Sequence, residues 1–296
     1  MTSAARNNII KKSKRLKIIS NIITYFVLIL AAFLILGPLY VVLITSFKSR
    51  TEAMSESFSL WPDHFDLHGY KEVFTYTSGA GDTIPTIVRG FINTLIVSLP
   101  TSIVGTLVSA LAAFSFSKIR FRSKKFLFAI LIGTMMIPGT ISMIPSYILF
   151  DRIGWVDTFL PLIIPGLLGG ASTVFFLRQF FFSVPDELID AAKIDGLGHF
   201  GIFFSIMIPL SIPALIAQFV LAFVGSYNAY MGPLIYLQTP TKYTLQIALR
   251  FFQSTNGTDY AVLMAGAVVS LVPTLIIYLF GQRYFIDGIA TTGLKL

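Results

Sequence analysis

The sequence predicts an all-α, polytopic membrane protein with six transmembrane helices. Only 12% of its 296 residues are charged, whereas 55% are apolar. Soluble domains carry about 25% charged residues, so this composition indicates a membrane protein. Six apolar segments are each long enough to cross about 30 Å of hydrocarbon as an α-helix. The six segments cover residues 18–45, 91–116, 126–150, 159–177, 202–224 and 261–281.

The first predicted helix lies between a basic tail and a polar loop. Residues 1–17 carry six Lys or Arg side chains and no acid. A signal peptide has an apolar core of only about 7–15 residues, so the longer run at 18–45 is predicted to be a retained transmembrane helix. We interpret the tail as an orientation signal, with binding to anionic lipid as the alternative. Residues 46–90 form the external loop, with turn signals at Trp61-Pro62-Asp63, Gly79 and Gly81-Asp82.

The remaining five spans form a predicted core over residues 91–282. Residues 201–241 contain no Asp, Glu, Lys, Arg or His. This stretch exceeds one span, so we expect a second, partly buried apolar piece at 225–237 after the fifth helix. Gly166 and Gly170 form one Gly-x-x-x-Gly spacing, which permits close contact between helices.

The distribution of Lys and Arg predicts the orientation of the chain. With the N-terminus inside, 15 of the 22 Lys and Arg residues fall on inner segments. Positive charge accumulates on the cytoplasmic side of membrane proteins, so both termini are predicted to be cytoplasmic. The same orientation places residues 183–196 inside the cell and makes residues 283–296 a cytoplasmic tail.

A short polar helix at about 184–196 is predicted between two long apolar segments. Ser183 followed by Asp186 is typical of a helix N-cap, with Val184 and Pro185 in the first turn. Gly196 stands where a helix C-terminus requires a residue that tolerates positive φ. The segment is too short to be stable alone in water and too polar to enter a bilayer.

One narrow face of this helix is predicted to dock on another protein. Leu188, Ala191 and Ala192 lie three and four positions apart, so they share a face with small side chains. The alternative is an ordinary amphipathic loop between helices.

Several kinds of chemistry are absent from the sequence. It has no phosphate-binding Gly-x-x-x-x-Gly-Lys-Ser/Thr loop, no cysteine, and no hydrolase motif. The only histidines, His64, His68 and His199, do not form a metal-binding pattern. Because the charges cluster beside apolar runs, nucleic acid is not an expected partner. We therefore predict a protein that is not an enzyme and has no cofactor or metal.

The spans themselves contain essentially no ionisable side chain. Ion-coupled carriers typically place such residues at membrane depth, so their absence argues against a proton-driven carrier. It favours a pathway for a neutral, hydroxyl-rich solute that is driven by a partner protein. Uncharged polar residues are the candidate lining, with hydrogen bonding between helices as the alternative role. The candidates are Asn93, Thr94, Ser98, Gln218, Ser226, Tyr227, Asn228 and Tyr230.

The polar helix resembles the cytoplasmic EAA motif of binding-protein-dependent ABC importer permeases. That motif reads Glu-Ala-Ala, three residues, Gly, nine residues, Ile, one residue, Leu-Pro. The matching positions are Asp190, Ala191, Ala192, Gly196, Ile206, Ile208 and Pro209. Two positions depart from the motif: Asp190 stands in place of Glu, and Ile208 in place of Leu. Because the carboxylate of Asp190 is on a shorter side chain, Asp190 matches the role of the family's Glu less closely.

Residues 37–296 resemble the carbohydrate branch of these permeases, and in particular the second maltose permease subunit. The chain departs from the branch at Tyr227-Asn228, where the branch usually has Trp-Asn. This departure affects the predicted role of these two residues in lining the solute pathway, but not the resemblance to the family. The resembling stretches are 37–49, 69–74, 91–98, 111–125, 175–196 and 283–296.

The resemblance implies a type I ABC importer permease fold in the cytoplasmic membrane of a bacterium or archaeon. The implied partners are a second homologous permease, two cytoplasmic ATPase subunits that hydrolyse ATP, an extracytoplasmic solute-binding protein, a sugar substrate and membrane lipid. The helix at 184–196 would be the coupling helix that the ATPase moves. The implied coupling residues are Leu188, Asp190, Ala191, Ala192, Asp195, Gly196 and Pro209.

Two other functions stay open at this stage. One is a stand-alone secondary carrier or channel, and the other is the same importer class with a non-sugar solute. The sequence does not identify the sugar, the partner chains or whether this subunit contacts the solute.

Overall fold

The computed structural model describes residues 3–55, 59–78, 83–253 and 258–293, with side chains from residue 17 to residue 283 within these ranges. This part of the chain is helical and contains no β-strand. The predicted turn signals at Gly79 and Gly81-Asp82 lie outside the described residues. The last three residues also lie outside the described part. The side chains of residues 1–16 in the basic tail and 284–296 in the C-terminal tail are likewise not described.

Fifteen α-helices occur in the described part of the chain, some of them a single turn. They are α1 (Ser3–Thr45), α2 (Arg50–Ala53), α3 (His68–Thr75), α4 (Thr86–Lys118), α5 (Lys124–Met135), α6 (Met143–Arg152), α7 (Leu160–Leu167), α8 (Ala171–Phe182), α9 (Asp186–Ile194), α10 (His199–Ile202), α11 (Ile208–Leu210), α12 (Ile212–Tyr227), α13 (Met231–Tyr236), α14 (Leu245–Ala248) and α15 (Tyr260–Gly293). A π-helical turn covers Phe203–Met207, and 3₁₀ turns cover Pro240–Lys242 and Leu249–Phe252.

Four of the six predicted spans correspond to single helical stretches with the required length and apolar character, and a fifth corresponds to a bent pair of helices. Four are Lys17–Thr45, Thr86–Lys118, Leu160–Phe182 and Tyr260–Arg283. The fifth is the pair His199–Leu210 and Ile212–Tyr227, bent by 82°. A side chain that faces lipid needs no protein neighbour, and the apolar side chains of the first stretch are largely exposed.

The predicted span at 126–150 is broken into α5 and α6, which have 12 and 10 residues. Pro138 and Gly139 lie in the break. Proline lacks an N–H and disfavours helix at the preceding residue, and glycine weakens a helix further. Neither half reaches the roughly 20 residues that one span requires. The total of six spans therefore stays a prediction.

The chain divides into two compact units, of which the first comprises Met1–Tyr70 and Asp259–Val268. After α1 the chain is held by polar contacts within this unit. The Lys48 amine donates to the carbonyl and the hydroxyl of Ser59 at 2.8 and 2.7 Å. The Asp259 carboxylate accepts from the N–H groups of Ala261 and Val262, the second and third residues of α15, and lies 3.3 Å from the His68 ring. These bonds order the loop that follows α1.

The second unit comprises Lys71–Thr258 and Val269–Leu296 and is built around α4, which packs against α7, α8, α12 and α14. Buried residues along α4 are mostly small or hydroxyl-bearing. Such residues allow helix backbones to approach closely.

Glycines make the closest of these contacts. A Cβ added at Gly105 would lie 2.5 Å from the carbonyl oxygen of Gly166, and one added at Gly166 would lie 2.8 Å from Thr101. Gly169 has φ +81°, and its backbone packs so closely against Ser109 that an added Cβ would clash with it. The close helix contact thus involves Gly166, as the Gly-x-x-x-Gly spacing suggested, but its second glycine is Gly169.

Candidate functional site

The polar helix predicted at 184–196 is α9, with nine residues from Asp186 to Ile194. Ser183 does not cap it, contrary to prediction. Ser183 has helical backbone angles because it ends α8, and its hydroxyl donates back to the Phe180 carbonyl at 2.7 Å. The extended conformation that an N-cap needs belongs to Pro185, whose side chain has no acceptor.

The prediction that Gly196 ends α9 with a positive φ is confirmed. Gly196 has φ +85°, and its N–H donates to the Lys193 carbonyl at 3.0 Å. The Leu197 N–H donates to the Ala192 carbonyl at 2.9 Å. This pair of bonds is a Schellman motif, which ends a helix and fixes the direction in which the chain leaves it.

The two faces of α9 differ from the prediction. Ala192 was expected beside Leu188 and Ala191 on the docking face, but it is buried with Ile189 in the apolar core of the second unit. Leu188 and Ala191 are exposed, and Ile194 exposes 87% of its surface. Because Ile194 lies three residues after Ala191, these three side chains form the outward apolar face of α9. We refer to Leu188, Ala191 and Ile194 as the outer face.

Lys118 at the end of α4 links that helix to the start of α9. Its amine lies 2.6 Å from both the Asp186 carboxylate and the Val184 carbonyl. The Lys118 side chain is 5% exposed, while that of Asp186 is 78% exposed. The hydrogen bond and the charge of Lys118 lower the pKa of Asp186 below its usual value. Sequence analysis missed this pair because its members are 68 positions apart.

Two further cations complete the end of α4. The Arg178 guanidinium donates to the Phe116 carbonyl at 3.0 Å and stacks on Phe128 and Phe182. The Lys124 amine donates to the carbonyls of Ser117 and Ile119 at 3.1 and 3.0 Å. Cations at a helix C-terminus satisfy its free carbonyls and interact favourably with the helix dipole.

The other implied coupling residues lie on or after α9. Asp190 pairs with Lys193 at 2.8 Å on the exposed surface, and Asp195 is the exposed C-cap. Pro209 lies in α11, directly after the π-helical turn. A proline leaves a backbone carbonyl of the preceding turn unpaired, which fits a locally widened helix. The chain then bends by 82° between α11 and α12.

Three of the candidate lining residues have their polar atoms engaged inside the second unit. Asn93 donates to the carbonyls of Thr241 and Tyr243 at 3.0 and 2.9 Å. The Thr94 hydroxyl accepts from the Leu245 N–H at 2.9 Å. The Tyr227 hydroxyl donates to the Ser270 carbonyl at 3.1 Å. In this conformation these groups hold α4 and α12 against their neighbours.

The remaining candidates differ in accessibility. Ser98 and Gln218 are buried. Asn228 and Tyr230 are accessible, and the side-chain oxygen of Asn228 accepts from the side-chain amide of Gln246 at 3.2 Å. The accessible Asn228 amide therefore lies at the end of α12, and the accessible Tyr230 ring lies just beyond it.

Most of the residues lining a cavity of about 270 Å³ were not predicted. Hydroxyl groups from α4, α8 and α12 surround it, and the Thr106 hydroxyl has no hydrogen-bond partner in the described chain. Hydroxyls repeated along one face of α4 beside glycines were the available sequence signal. The lining hydroxyl residues are Thr101, Ser102, Thr106, Thr173 and Ser226.

A charged clamp joins two connecting segments of the second unit. Asp157, at φ 59°, accepts from the N–H groups of Gln238 and Thr239 at 2.9 Å and from the Lys242 amine at 2.9 Å. Burial raises the pKa of Asp157, but the hydrogen bonds from Thr239 and Lys242 outweigh it and hold the pKa well below its usual range. Among the described residues, no three His, Cys, Asp or Glu side chains are grouped to hold a metal ion.

Comparison with known proteins relates this geometry to a family. Residues 105–290 match the model of a family described as "Binding-protein-dependent transport system inner membrane component". The chain is 33% identical over 266 residues to the arabinooligosaccharides transport system permease protein AraQ of Halalkalibacterium halodurans, covering 89% of this chain and 92% of that protein. It is 27% identical over 277 residues to the sn-glycerol-3-phosphate transport system permease protein UgpE of Brucella abortus, covering 93% and 97%.

The fold also matches that of a solved structure. A chain from a bacterial ABC transporter involved in the import of the acidic polysaccharide alginate superposes with a TM-score of 0.79 at 23% identity. The match covers 92% of this chain and 98% of that chain. The two chains therefore share one fold over nearly their whole lengths.

Proposed function

The chain belongs to the family of binding-protein-dependent transport system inner membrane components, and we propose that it is a permease subunit of an ATP-driven importer of a sugar or oligosaccharide. The relative that transports arabinooligosaccharides supports the solute class. The relative that transports sn-glycerol-3-phosphate keeps a non-sugar, hydroxyl-bearing solute as the second candidate.

Coupling to ATP hydrolysis is assigned to α9. The single observation that carries this assignment is the exposed apolar outer face on a short polar helix that is anchored on its other side. An exposed apolar face on a polar helix, beside a buried anchor, is suited to contact with another protein. A partner ATPase that moves the outer face would also move Ile189 and Ala192, which are packed in the core.

Lys118 and Gly196 give this movement its direction. Lys118 ties the start of α9 to the end of α4, and the Schellman motif at Gly196 fixes the exit of the chain toward the bent pair α11 and α12. A displacement of α9 would therefore reach both helices. The membrane part would switch between inward-facing and outward-facing states, as alternating access requires.

The solute pathway is assigned to the polar side chains around α4 and α12. Asn228, Tyr230 and the hydroxyl-lined cavity near Ser226 are its accessible members. Amide and hydroxyl groups can exchange hydrogen bonds with sugar hydroxyls, and aromatic rings can stack on apolar sugar faces. Asn93, Thr94, Ser98, Gln218 and Tyr227 would contribute only if the transport cycle exposes them.

The proposal includes the arrangement in the membrane. The chain would cross the cytoplasmic membrane six times, with α5 and α6 together forming one span and both termini inside. A second permease, two ATPase subunits and an extracytoplasmic solute-binding protein would complete the transporter.

Purification in mild detergent followed by mass spectrometry tests the assignment. We expect a second permease and a phosphate-loop ATPase to co-purify with the tagged chain. Ile194→Asp should remove the ATPase, because it places a charge in the apolar contact of the outer face. The matched control is Leu60→Asp, which adds the same charge at another exposed apolar side chain and should leave the complex intact.

Recovery of the chain alone, or retention of the ATPase by Ile194→Asp, would contradict the coupling role of α9. Asp190→Ala tests whether the carboxylate orients α9 on the ATPase, and unchanged co-purification would count against that role. Solute uptake into liposomes that contain only this chain, without ATP, would favour a stand-alone carrier or channel.

A further inference from the structure

A cavity of about 520 Å³ lies between the end of α4 and the start of α9, and the function assigned to α9 involves only Lys118, Asp186 and Asp190 of its lining. Its basic lining residues are Lys118, Arg120, Lys124, Lys193 and His199. The cavity is formed by the side of α9 that carries Ile189 and Lys193. The outer face, with Leu188, Ala191 and Ile194, does not line the cavity, so an ATPase seated on those three side chains would meet the cavity only at Asp190.

The cavity has an excess of positive charge. Both carboxylates in its lining are already matched, since Asp186 pairs with Lys118 at 2.6 Å and Asp190 pairs with Lys193 at 2.8 Å. Arg120 and Lys124 also line the cavity, and among the described residues neither has a carboxylate oxygen within 4 Å, so the charge of Asp186 acts on them only from a longer distance. An anion is therefore the ligand that this cavity would attract.

The two unmatched cations present donors suited to phosphate. Lys124 is half-buried, and its amine is held by two carbonyl groups, which leaves its third N–H available. Burial lowers the pKa of Lys124, and the nearby positive charges of Arg178, Lys118 and Arg120 lower it further. Arg120 is exposed and offers a planar fork of donors that matches phosphate oxygens.

The surroundings of the cavity point to a lipid. It lies where the membrane-capable stretch Thr86–Lys118 ends and where the apolar helix α5 begins. Phe121, Phe126 and Phe200 lie within two residues of cavity-lining residues along the chain and are exposed, the last two at 68%. Exposed phenylalanines beside cations at the end of a span suit the boundary between acyl chains and headgroups. We infer that this cavity binds the headgroup phosphate of an anionic phospholipid, an inference that rests on the proposed function for the cytoplasmic position of the site.

Lipid retention by the assembled transporter tests this inference. The complex is washed in detergent, mixed with phosphatidylglycerol or phosphatidylcholine, and analysed for bound lipid by native mass spectrometry. We expect retention of phosphatidylglycerol but not of phosphatidylcholine. Arg120→Gln with Lys124→Gln should weaken phosphatidylglycerol binding about 30-fold, the factor expected when two basic side chains leave an anionic surface.

A matched control removes the same charge from the same loop. Arg122 and Lys125 are exposed and do not line the cavity, so Arg122→Gln with Lys125→Gln should retain the lipid. Arg120 makes no hydrogen bond to another described residue, so Arg120→Gln alone should fold normally and weaken binding about fivefold. This single variant separates a loss of binding from misfolding of the double variant. Equal lipid retention by the cavity and control variants would overturn the inference.

Two further measurements distinguish a lipid from free phosphate and from the ATPase as the partner of these cations. Displacement of the lipid by millimolar inorganic phosphate would identify a free-phosphate site and overturn the lipid assignment. Loss of the ATPase from the cavity variant, with lipid retention unchanged, would show that Arg120 and Lys124 contact the ATPase instead. If the unmodified chain yields no ATPase, the proposed function fails, whereas its lipid retention is still measured independently.

Discussion

At the scale of single residues, two contacts define α9 more than its composition does. Gly196 adopts φ +85°, a conformation that costs L-residues about 1–2 kcal/mol. Lys118 bonds the first residue of α9 from the far end of α4. One residue fixes how the helix ends, and the other fixes where it begins.

Substitution of Gly196 should impair coupling through backbone strain alone, because among the described residues no atom beyond its two chain neighbours lies within 4 Å of an added Cβ. We expect Gly196→Val to reduce ATP-driven uptake by about tenfold or more and to leave membrane insertion unchanged, since β-branched residues resist positive φ. Gly196→Asn should retain most uptake, because asparagine tolerates this conformation. Uptake by proteoliposomes that contain all subunits, normalised to the amount inserted, measures the effect.

Gly198 is the control for this position. It also has no atom within 4 Å of an added Cβ, but its φ is −73°. Gly198→Ala should therefore transport normally. Normal transport by Gly196→Val would show that the left-handed cap is not required for coupling.

Breaking the link between Lys118 and Asp186 should lower the number of solute molecules transported per ATP. We expect Lys118→Met to reduce this ratio by up to about fivefold, because an ion pair with one exposed partner contributes about 1 kcal/mol or less. Lys125→Met removes the same charge from an exposed position and should have no effect. An unchanged ratio in Lys118→Met would exclude a positioning role.

The same pair predicts a dependence of stability on pH. The pKa of Asp186 is lowered in the folded chain, so its contribution is complete above the ordinary carboxyl pKa of about 3.9 and is lost as the pH falls through the lowered value. Asp186→Asn removes the titrating group. Thermal unfolding between pH 3 and pH 7 should therefore show a smaller acid-induced decrease for this variant, and equal decreases would contradict the assignment.

At the scale of helices, the second unit depends on how closely its backbones approach. The contact between α4 and α7 has no room for a side chain at Gly105 or Gly166. The break between α7 and α8 occurs at Gly169, where φ is +81°. Glycines thus have two effects here. Gly105 and Gly166 permit close packing of α4 on α7, and Gly169 interrupts the fourth predicted span.

Gly105→Ala should destabilise the protein by about 1–3 kcal/mol, because the added Cβ would lie 2.5 Å from a backbone carbonyl oxygen that cannot rotate away. Thermal unfolding of the detergent-solubilised protein measures the change. Gly133→Ala is the control, since Gly133 lies inside α5 with no atom within 4 Å. It should be neutral or stabilising by about 0.5–1 kcal/mol. Equal unfolding temperatures for the two variants would contradict this view of the contact.

At the scale of the whole molecule, the number of spans depends on α5 and α6. Each is too short to cross a bilayer alone, and together they could form one broken span or a loop that returns to the same side. The distribution of Lys and Arg favours a crossing, because five of these residues lie at 117–125, just before α5 and in its first two positions.

Cysteine labelling decides between these arrangements, since the chain has no cysteine of its own. Ser123→Cys and Ile153→Cys place single thiols at exposed positions before α5 and after α6. In intact cells we expect a membrane-impermeant maleimide to label Ile153→Cys and not Ser123→Cys. Labelling of both residues from one side would mean that α5 and α6 return to the same surface and that the chain has five spans.

The sequence by itself determined the features that depend on nearest neighbours along the chain. Long apolar runs, flanking charges and the glycine at position 196 predicted the helical membrane class and the end of α9, because helix length and capping are local properties. The family was expected from the resemblance of residues 190–209 to the EAA motif. Tertiary structure alone decided which distant groups meet. Lys118 reaches Asp186, Gly105 fits against Gly166, and Ala192 turns inward while Ile194 turns outward. These outcomes depend on the packing of whole helices, and periodicity along one segment does not specify which face its neighbours will cover.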